Sequence, residues 1–173
     1  MKKYELTEET FTVFGKTLYR IRAVRDFGSV KTGEFGGYIE KEENLSHFGN
    51  AWISGDARVF GDARVSGNAR VFGDARVSGD ARVSGNARVF GNAEVFNTRH
   101  FFVQGPIGSR DGYVTFYRTK DDTVEVRCGC FSGSLQKFVN QVEETHGGSR
   151  YEKEYKLAAE LAKVCIRLEG ESR

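Results

Sequence analysis

From Ile53 the chain repeats every six residues: ISGDAR, VFGDAR, VSGNAR, VFGDAR, VSGDAR, VSGNAR, VFGNAE, VFNTRH. These eight units run without a break to His100, and HFGNAW from His47 fits except at its first position. A period of six matches neither the 3.6 of a helix nor the sustained alternation of a long strand. Short tandem units instead specify a stack in which each coil buries its neighbour. Each unit begins with a β-branched aliphatic residue (Ile53, Val59, Val65, Val71, Val77, Val83, Val89, Val95). Alanine follows four places later at Ala57, Ala63, Ala69, Ala75, Ala81, Ala87 and Ala93. β-Branched residues favour strand, and the Gly-Asp or Gly-Asn pairs between them tolerate positive φ. Each hexad therefore reads as a strand of two or three residues followed by a turn.

Composition narrows the class. Glycine is abundant at 21 and proline is present once, so collagen is excluded, because it needs both. A formal net charge of +2 gives no basic field for generic DNA binding. No apolar run of about 18 residues exists to span a membrane. The start, Met1-Lys2-Lys3-Tyr4-Glu5, leads into a polar stretch without the apolar core of a signal peptide. Three cysteines make no spaced disulfide framework, which fits a reducing compartment. The expected location is cytoplasmic.

The repeat resembles the hexapeptide-repeat family of left-handed β-helices over roughly residues 37 to 103. That resemblance implies three hexads per triangular coil of about eighteen residues, with valine and alanine pointing inward. It also implies trimers packed through prism faces. The family usually places a small or acidic residue directly after the aliphatic one, whereas here that position is Ser or Phe. The flanks resemble bacteriophage and prophage proteins at Lys16 to Ile21, Gly36 to Ile39, Phe116 to Lys120 and Cys128 to Phe131. This second likeness implies a viral origin and an infected or lysogenic bacterial host.

The expected fold class is mainly β: a left-handed parallel β-helix (hexapeptide solenoid) with a small C-terminal α+β (ββαα) domain. Residues 1–36 are expected to form an N-terminal β cap with a strand over Leu18 to Val24, because a bare solenoid end is an open edge. Residues 37–103 form the solenoid, 104–112 a linker around Pro106, and 113–173 the ββαα domain. In that domain Tyr113 to Tyr117 and Val124 to Cys128 read as strands. Ser134 caps a helix that carries Leu135, Phe138, Val139 and Val142 on one stripe and stops at Gly147. Tyr151 to Leu168 reads as a second helix with two apolar seams: Tyr151, Tyr155, Ala158, Ala162, Cys165, and Leu157, Leu161, Val164, Leu168.

With eighteen residues per coil, residues eighteen apart stack about 4.8 Å apart. Asn50, Asn68 and Asn86 then form an amide ladder. Arg58 stacks on Arg76 and Glu94, Arg64 on Arg82 and His100, and Arg70 on Arg88 below Trp52. Forked guanidiniums in rows suit an anion. The competing expectation is that each is paired with the aspartate two residues earlier or on a neighbouring coil, as the seven basic and five acidic residues between Ile53 and His100 allow. Phe72 stacks on Phe90, and Phe60, Ser78 and Phe96 share a column. Outward Phe marks an interface, with self-association through Phe72, Phe90 and the Leu157, Leu161, Val164, Leu168 seam expected. Cover by the tail domain is the alternative. A further reading is a notch between Phe60 and Phe96, over Ser78, that lodges a flat base.

Catalytic groups are sparse. Resemblance to hexapeptide acyltransferases would demand a histidine base, for which only His100 qualifies, and no long loop forms an acyl-donor pocket. A related zinc lyase would need three converging histidines, while His47, His100 and His146 are far apart in sequence. Cys128 and Cys130 share a strand face, but a four-ligand zinc site has only distant helpers. No metal and no cofactor are expected. The functional expectation is a non-enzymatic oligomeric binding protein, a homo-oligomer and in particular a trimer. It would block or sequester a host factor, either a protein or a small anionic nucleotide signal, through Arg58, Arg64, Arg70, Arg76, Arg82, Arg88, Phe60 and Phe96. An acyltransferase and a virion structural part are the alternatives.

Overall fold

The Arg-Val dipeptides of the repeat become strands of two residues each: β4 (Trp52–Ile53), β5 (Arg58–Val59), β6 (Arg64–Val65), β7 (Arg70–Val71), β8 (Arg76–Val77), β9 (Arg82–Val83), β10 (Arg88–Val89) and β11 (Glu94–Val95). Between strands the glycine of each hexad takes a left-handed conformation, as at Gly67 (φ +67°) and Gly85 (φ +64°). Glycine alone supplies the positive φ, while the neighbouring Asp or Asn does not. This computed structural model describes residues 1–169.

Parallel pairing joins strands eighteen residues apart: Arg58 to Arg76, Arg64 to Arg82, and Arg70 to Arg88, with the following valines also in register. Each rung is closed by backbone bonds such as Arg70 N to Ala87 O at 2.9 Å and Phe72 N to Val89 O at 3.0 Å. Consecutive hexads therefore lie on three different sheets before the first is rejoined, giving a parallel β-solenoid. Every repeat valine and alanine from Ala57 to Val95 is fully buried. The asparagine column is present, with Asn50 Nδ2 donating to Asn68 Oδ1 and Asn68 Nδ2 to Asn86 Oδ1, both at 3.3 Å.

The chain divides into two compact units, Met1–Asn92 with Phe96–Thr98, and Ala93–Val95 with residues from Arg99 onward. In the first, three strands precede the repeats: β1 (Tyr4–Val13), β2 (Lys16–Ala23) and β3 (Phe35–Ile39). β1 and β2 form a hairpin whose turn residues Phe14 (φ +48°) and Gly15 (φ +74°) both have the positive φ of a tight two-residue turn. β3 pairs antiparallel with β2 and parallel with β5, so the cap joins the first coil edge to edge. The expected strand is β2. β1 escapes sequence reading because its Thr and Glu residues leave it largely exposed.

The second unit holds an antiparallel sheet of β12 (Phe101–Ile107), β13 (Gly112–Arg118), β14 (Val124–Cys128) and β15 (Phe131–Ser134), in that order, with α1 (Leu135–His146) and α2 (Arg150–Cys165). The expected small α+β domain with two helices is present, and its sheet has four strands where two were expected. Residues 104–107, expected in a linker, complete β12. The ladder to β13 breaks between Gln104 and Ile107, and that irregularity admits Pro106 into a strand. Val114, Phe116, Val126, Phe138, Val142, Ala158, Ala159, Ala162 and Ile166 form this unit's core. Ser134 Oγ caps α1 by accepting from Lys137 N at 3.3 Å. No helix among the described residues is long and apolar enough to cross a membrane.

Alanine at Gly85, where an added Cβ meets nothing within 4 Å, isolates the conformational strain and should cost about 1–2 kcal/mol. At Gly67 the added Cβ would also lie 3.0 Å from Gly85 N. Urea midpoints should therefore fall further for Gly67→Ala than for Gly85→Ala, and equal midpoints would contradict the stacked-turn geometry. Lys3 gives a second test. Its side chain is fully buried, its Nζ donates to Ala51 O at 2.7 Å, and burial, then Arg25 and Arg70, push its pKa down to about 8. The unfolded chain then holds this proton more tightly than the folded one between pH 8 and 10.5, so stability rises with pH in that window. From pH 8 to 9.5 the parent should gain about 2 kcal/mol relative to Lys3→Met, read from denaturation midpoints.

Candidate functional site

Each outward residue takes its surroundings from the sheet on which its hexad falls. On the sheet β3-β5-β8, Tyr38 aligns with Arg58, and Arg58 with Arg76. The N-terminal hairpin covers this side. The Arg58 guanidinium lies 4.0 Å over the Phe11 ring, an attractive cation–π geometry, and its Nε is buried without an acceptor. Phe60, expected at the surface, is only 7% exposed and packs with Leu18, Tyr38 and Val13. The Phe14 ring lies 6.4 Å away. The expected base-binding notch is therefore filled at its Phe60 end by the protein's own cap. Arg76 and Phe96 are half-buried.

On β4-β7-β10, Trp52, Arg70 and Arg88 align. Trp52 is buried beneath the cap, edge-on to Phe27 at 5.4 Å. Arg70 Nη2 donates to Ser29 Oγ at 2.9 Å, and burial lowers the pKa of its guanidinium. Phe72 and Phe90 stack as expected, with ring centroids 4.7 Å apart, and both stay half-buried. Arg88 is exposed.

The two-strand sheet β6-β9 is the open one. Arg64 and Arg82 align in register and both are exposed. Among the described residues neither has an ion pair or side-chain hydrogen bond. The expected pairing of Arg64 with Asp62 does not form, because Lys41 Nζ takes Asp62 Oδ1 at 3.0 Å. Ser66 and Ser84 hold the second outward position of these strands and are small and polar. The result is two like charges held about one strand spacing apart on a surface with no bulk between them. Lys41, two residues beyond β3, belongs to this rim and carried no repeat signal in the sequence.

In the second unit, α2 turns its first seam inward: Ala158 and Ala162 are buried, and Tyr155 packs on the core. The second seam splits. Leu157 (70%), Leu161 (46%) and Val164 (81%) are exposed, whereas Leu168 lies beyond the helix end and packs into the core. Leu168 is therefore removed from the candidate interface. His100, expected to face outward, is 5% exposed, and burial followed by the Arg118 charge lowers its imidazole pKa. Its carbonyl accepts from Arg118 N at 2.8 Å. Of the cysteines flanking Gly129, Cys128 is half-buried and Cys130 exposed. Burial raises the Cys128 thiol pKa.

With this geometry in hand, the repeat can be placed among known proteins. Residues 51–67, 63–79, 75–89 and 81–95 match the family model described as the YdcK Beta solenoid repeat. Residues 51–95 are a β-solenoid repeat segment. The match covers about a quarter of the chain, and both flanks lie outside it. No curated protein matches the chain.

Because Phe60 is a packing residue of the solenoid, Phe60→Ala should lower stability by about 3 kcal/mol. Phe72→Ala, which removes a half-buried ring, should cost less. Chemical denaturation of both variants checks this, and a stable Phe60→Ala protein would return Phe60 to the candidate binding surface.

Proposed function

We propose that this chain is a non-enzymatic oligomeric binding protein whose solenoid presents arginine rows to a small phosphate-bearing ligand of the nucleotide type. The observation that carries this reading is the Arg64–Arg82 row, exposed, in register and without an ion-pair partner among the described residues. A guanidinium offers planar forked donors that match phosphate oxygens. Mounting two of them on adjacent rungs of one rigid ladder removes most of the ordering that binding would otherwise require. The burial of His100 supports a binding role over acyl transfer, since a base must reach its substrate.

Assembly follows from the α2 stripe. Leu157, Leu161 and Val164 are spaced four and three residues apart, the spacing of a seam that packs against another helix. The hexapeptide resemblance supports a left-handed winding and a threefold assembly. The likeness of the flanks to phage proteins supports a role in the cytoplasm of an infected or lysogenic bacterium, where such a protein would sequester a host signal.

Native mass spectrometry of the purified protein tests both parts. The expected particle is a multimer of the chain that carries an anionic ligand released on heating. Ligand should be lost from the Arg64→Glu/Arg82→Glu double variant, whose exposed positions leave folding intact. Leu161→Asp should reduce the particle to single chains. A parent free of any anion after incubation with a cell nucleotide extract, or full retention by the double variant, would overturn the binding assignment.

A further inference from the structure

Outside the exposed row, the most unusual chemistry of the first unit lies where the start of β1 and the turn after β2 meet the first coil. Lys3 is fully buried, yet among the described residues no carboxylate accepts from its ammonium. Its contacts are the Ala51 carbonyl at 2.7 Å and the face of Phe27, 4.9 Å from the ring centroid. A buried ammonium has three donors and is normally neutralised by a partner. Here the charges that act on it are Arg25 and Arg70, which share its sign.

Two further donors in this region are buried without an acceptor among the described residues: Arg25 Nε and the indole Nε1 of Trp52, a residue only 1% exposed. The Trp52 ring meets Phe27 edge-on, and Phe27 is the ring that also carries Lys3. The turn between Phe27 and Val30 lies against Arg70. Ser29 Oγ takes its Nη2, and a Cβ placed on Gly28 (φ +53°) would come within 3.5 Å of the same nitrogen.

The nearby carboxylates are engaged elsewhere. Asp26 accepts from Lys31 Nζ and from the backbone and hydroxyl of Thr32 at 2.8–2.9 Å. Glu34 acts on Arg70 but its Oε2 accepts from Lys31 N at 3.1 Å. His47 contributes no negative charge: its Nδ1 accepts from Lys3 N at 3.2 Å, and its buried Nε2 faces Glu42 at 3.6 Å. Glu34 thus offsets Arg70 in part, while the charges that act on Lys3 are both positive.

We propose that Lys3, Arg25 and Arg70, with Ser29, form a second binding site on this chain, for a phosphate-type oxyanion that enters beside the turn after β2. The site is separate from the exposed Arg64–Arg82 row and does not depend on it. A bound oxyanion would accept from the stranded Arg25 and Lys3 donors and offset the repulsion that Arg25 and Arg70 exert on Lys3. Burial first, and then the Arg25 and Arg70 charges, hold the Lys3 pKa down to about 8.

The test is thermal unfolding of the full chain titrated with inorganic pyrophosphate, with sodium chloride at matched ionic strength as control. The midpoint of the parent should rise with pyrophosphate concentration well beyond the control. The Arg64→Glu/Arg82→Glu variant should still rise well beyond the chloride control, which separates this site from the surface row. Arg25→Gln should weaken the apparent affinity by about tenfold, the loss of one charge-assisted hydrogen bond. In phosphate-free buffer the same variant should unfold at or above the parent midpoint, because one repelling charge is gone. The proposal fails if pyrophosphate acts no better than chloride, or if Arg25→Gln binds as tightly as the parent. It also fails if Arg25→Gln is destabilised without anion, which would make Arg25 a structural group.

Discussion

The eighteen-residue register between successive coils is the constraint on which the solenoid depends. A two-residue strand has too few backbone bonds to persist alone. It persists here because each strand finds its partner one coil on, through bonds such as Arg58 N to Ala75 O and Arg64 N to Ala81 O, both at 2.9 Å. That register requires the inward residues to keep constant size, and valine and alanine do so at every hexad. It also requires a turn that brings backbones close. Gly67 shows this, since a Cβ there would lie 3.0 Å from Gly85 N. Burial and close approach together make the hexad intolerant at three positions and permissive at the others.

The permissive positions carry whatever function the protein has, and the same register dictates how they are arranged. Residues eighteen apart must stack, so an arginine at one position of the hexad becomes a row of like charges at strand spacing. Such a row is unfavourable unless something intervenes. The protein supplies different remedies on two of its three sheets. Arg58 is placed over the Phe11 ring, and Arg70 is tied to Ser29. Both remedies come from the N-terminal segment, which therefore caps an edge and also quiets charge. Arg64 and Arg82 receive neither, since the hairpin does not cover that side.

Much of this was legible in the sequence, and the limits have physical causes. The hexad period gave the strands, the turns and the stacked asparagines, because periodicity reports directly on geometry that repeats. The fate of individual outward residues was not legible. Phe60, Phe72 and Phe90 occupy the same hexad position and looked equivalent. They differ because Phe60 lies under Leu18 and Val13, residues more than forty positions earlier. Nothing periodic encodes a non-repeating cap. For the same reason β1 was missed: its Glu-Thr-rich face looks like loop until it is paired with β2. In the second unit, Pro106 looked like a boundary and proved to sit at an irregularity inside β12. Leu168 looked like the fourth member of a helical stripe, but the helix ends at Cys165 and the chain turns that leucine into the core.

The positions that no pattern flagged are also the ones with the least comfortable chemistry. Lys3 and Arg25 belong to no repeat, and as isolated residues near the start of a chain they read as ordinary solvated cations. Folding buries Lys3 against the face of Phe27, where the Arg25 and Arg70 charges act on it in a medium that screens poorly. A purely structural cap has simpler choices available, since an apolar side chain at position 3 would fill the same space without a charge to desolvate. Retaining a cation there, with donors left unmatched beside it, is the arrangement expected when the missing partner is a ligand rather than a side chain. The open Arg64–Arg82 row and the covered cluster would then be two outcomes of one geometry: where the cap leaves the rows exposed they form a surface, and where it closes over them they form a site.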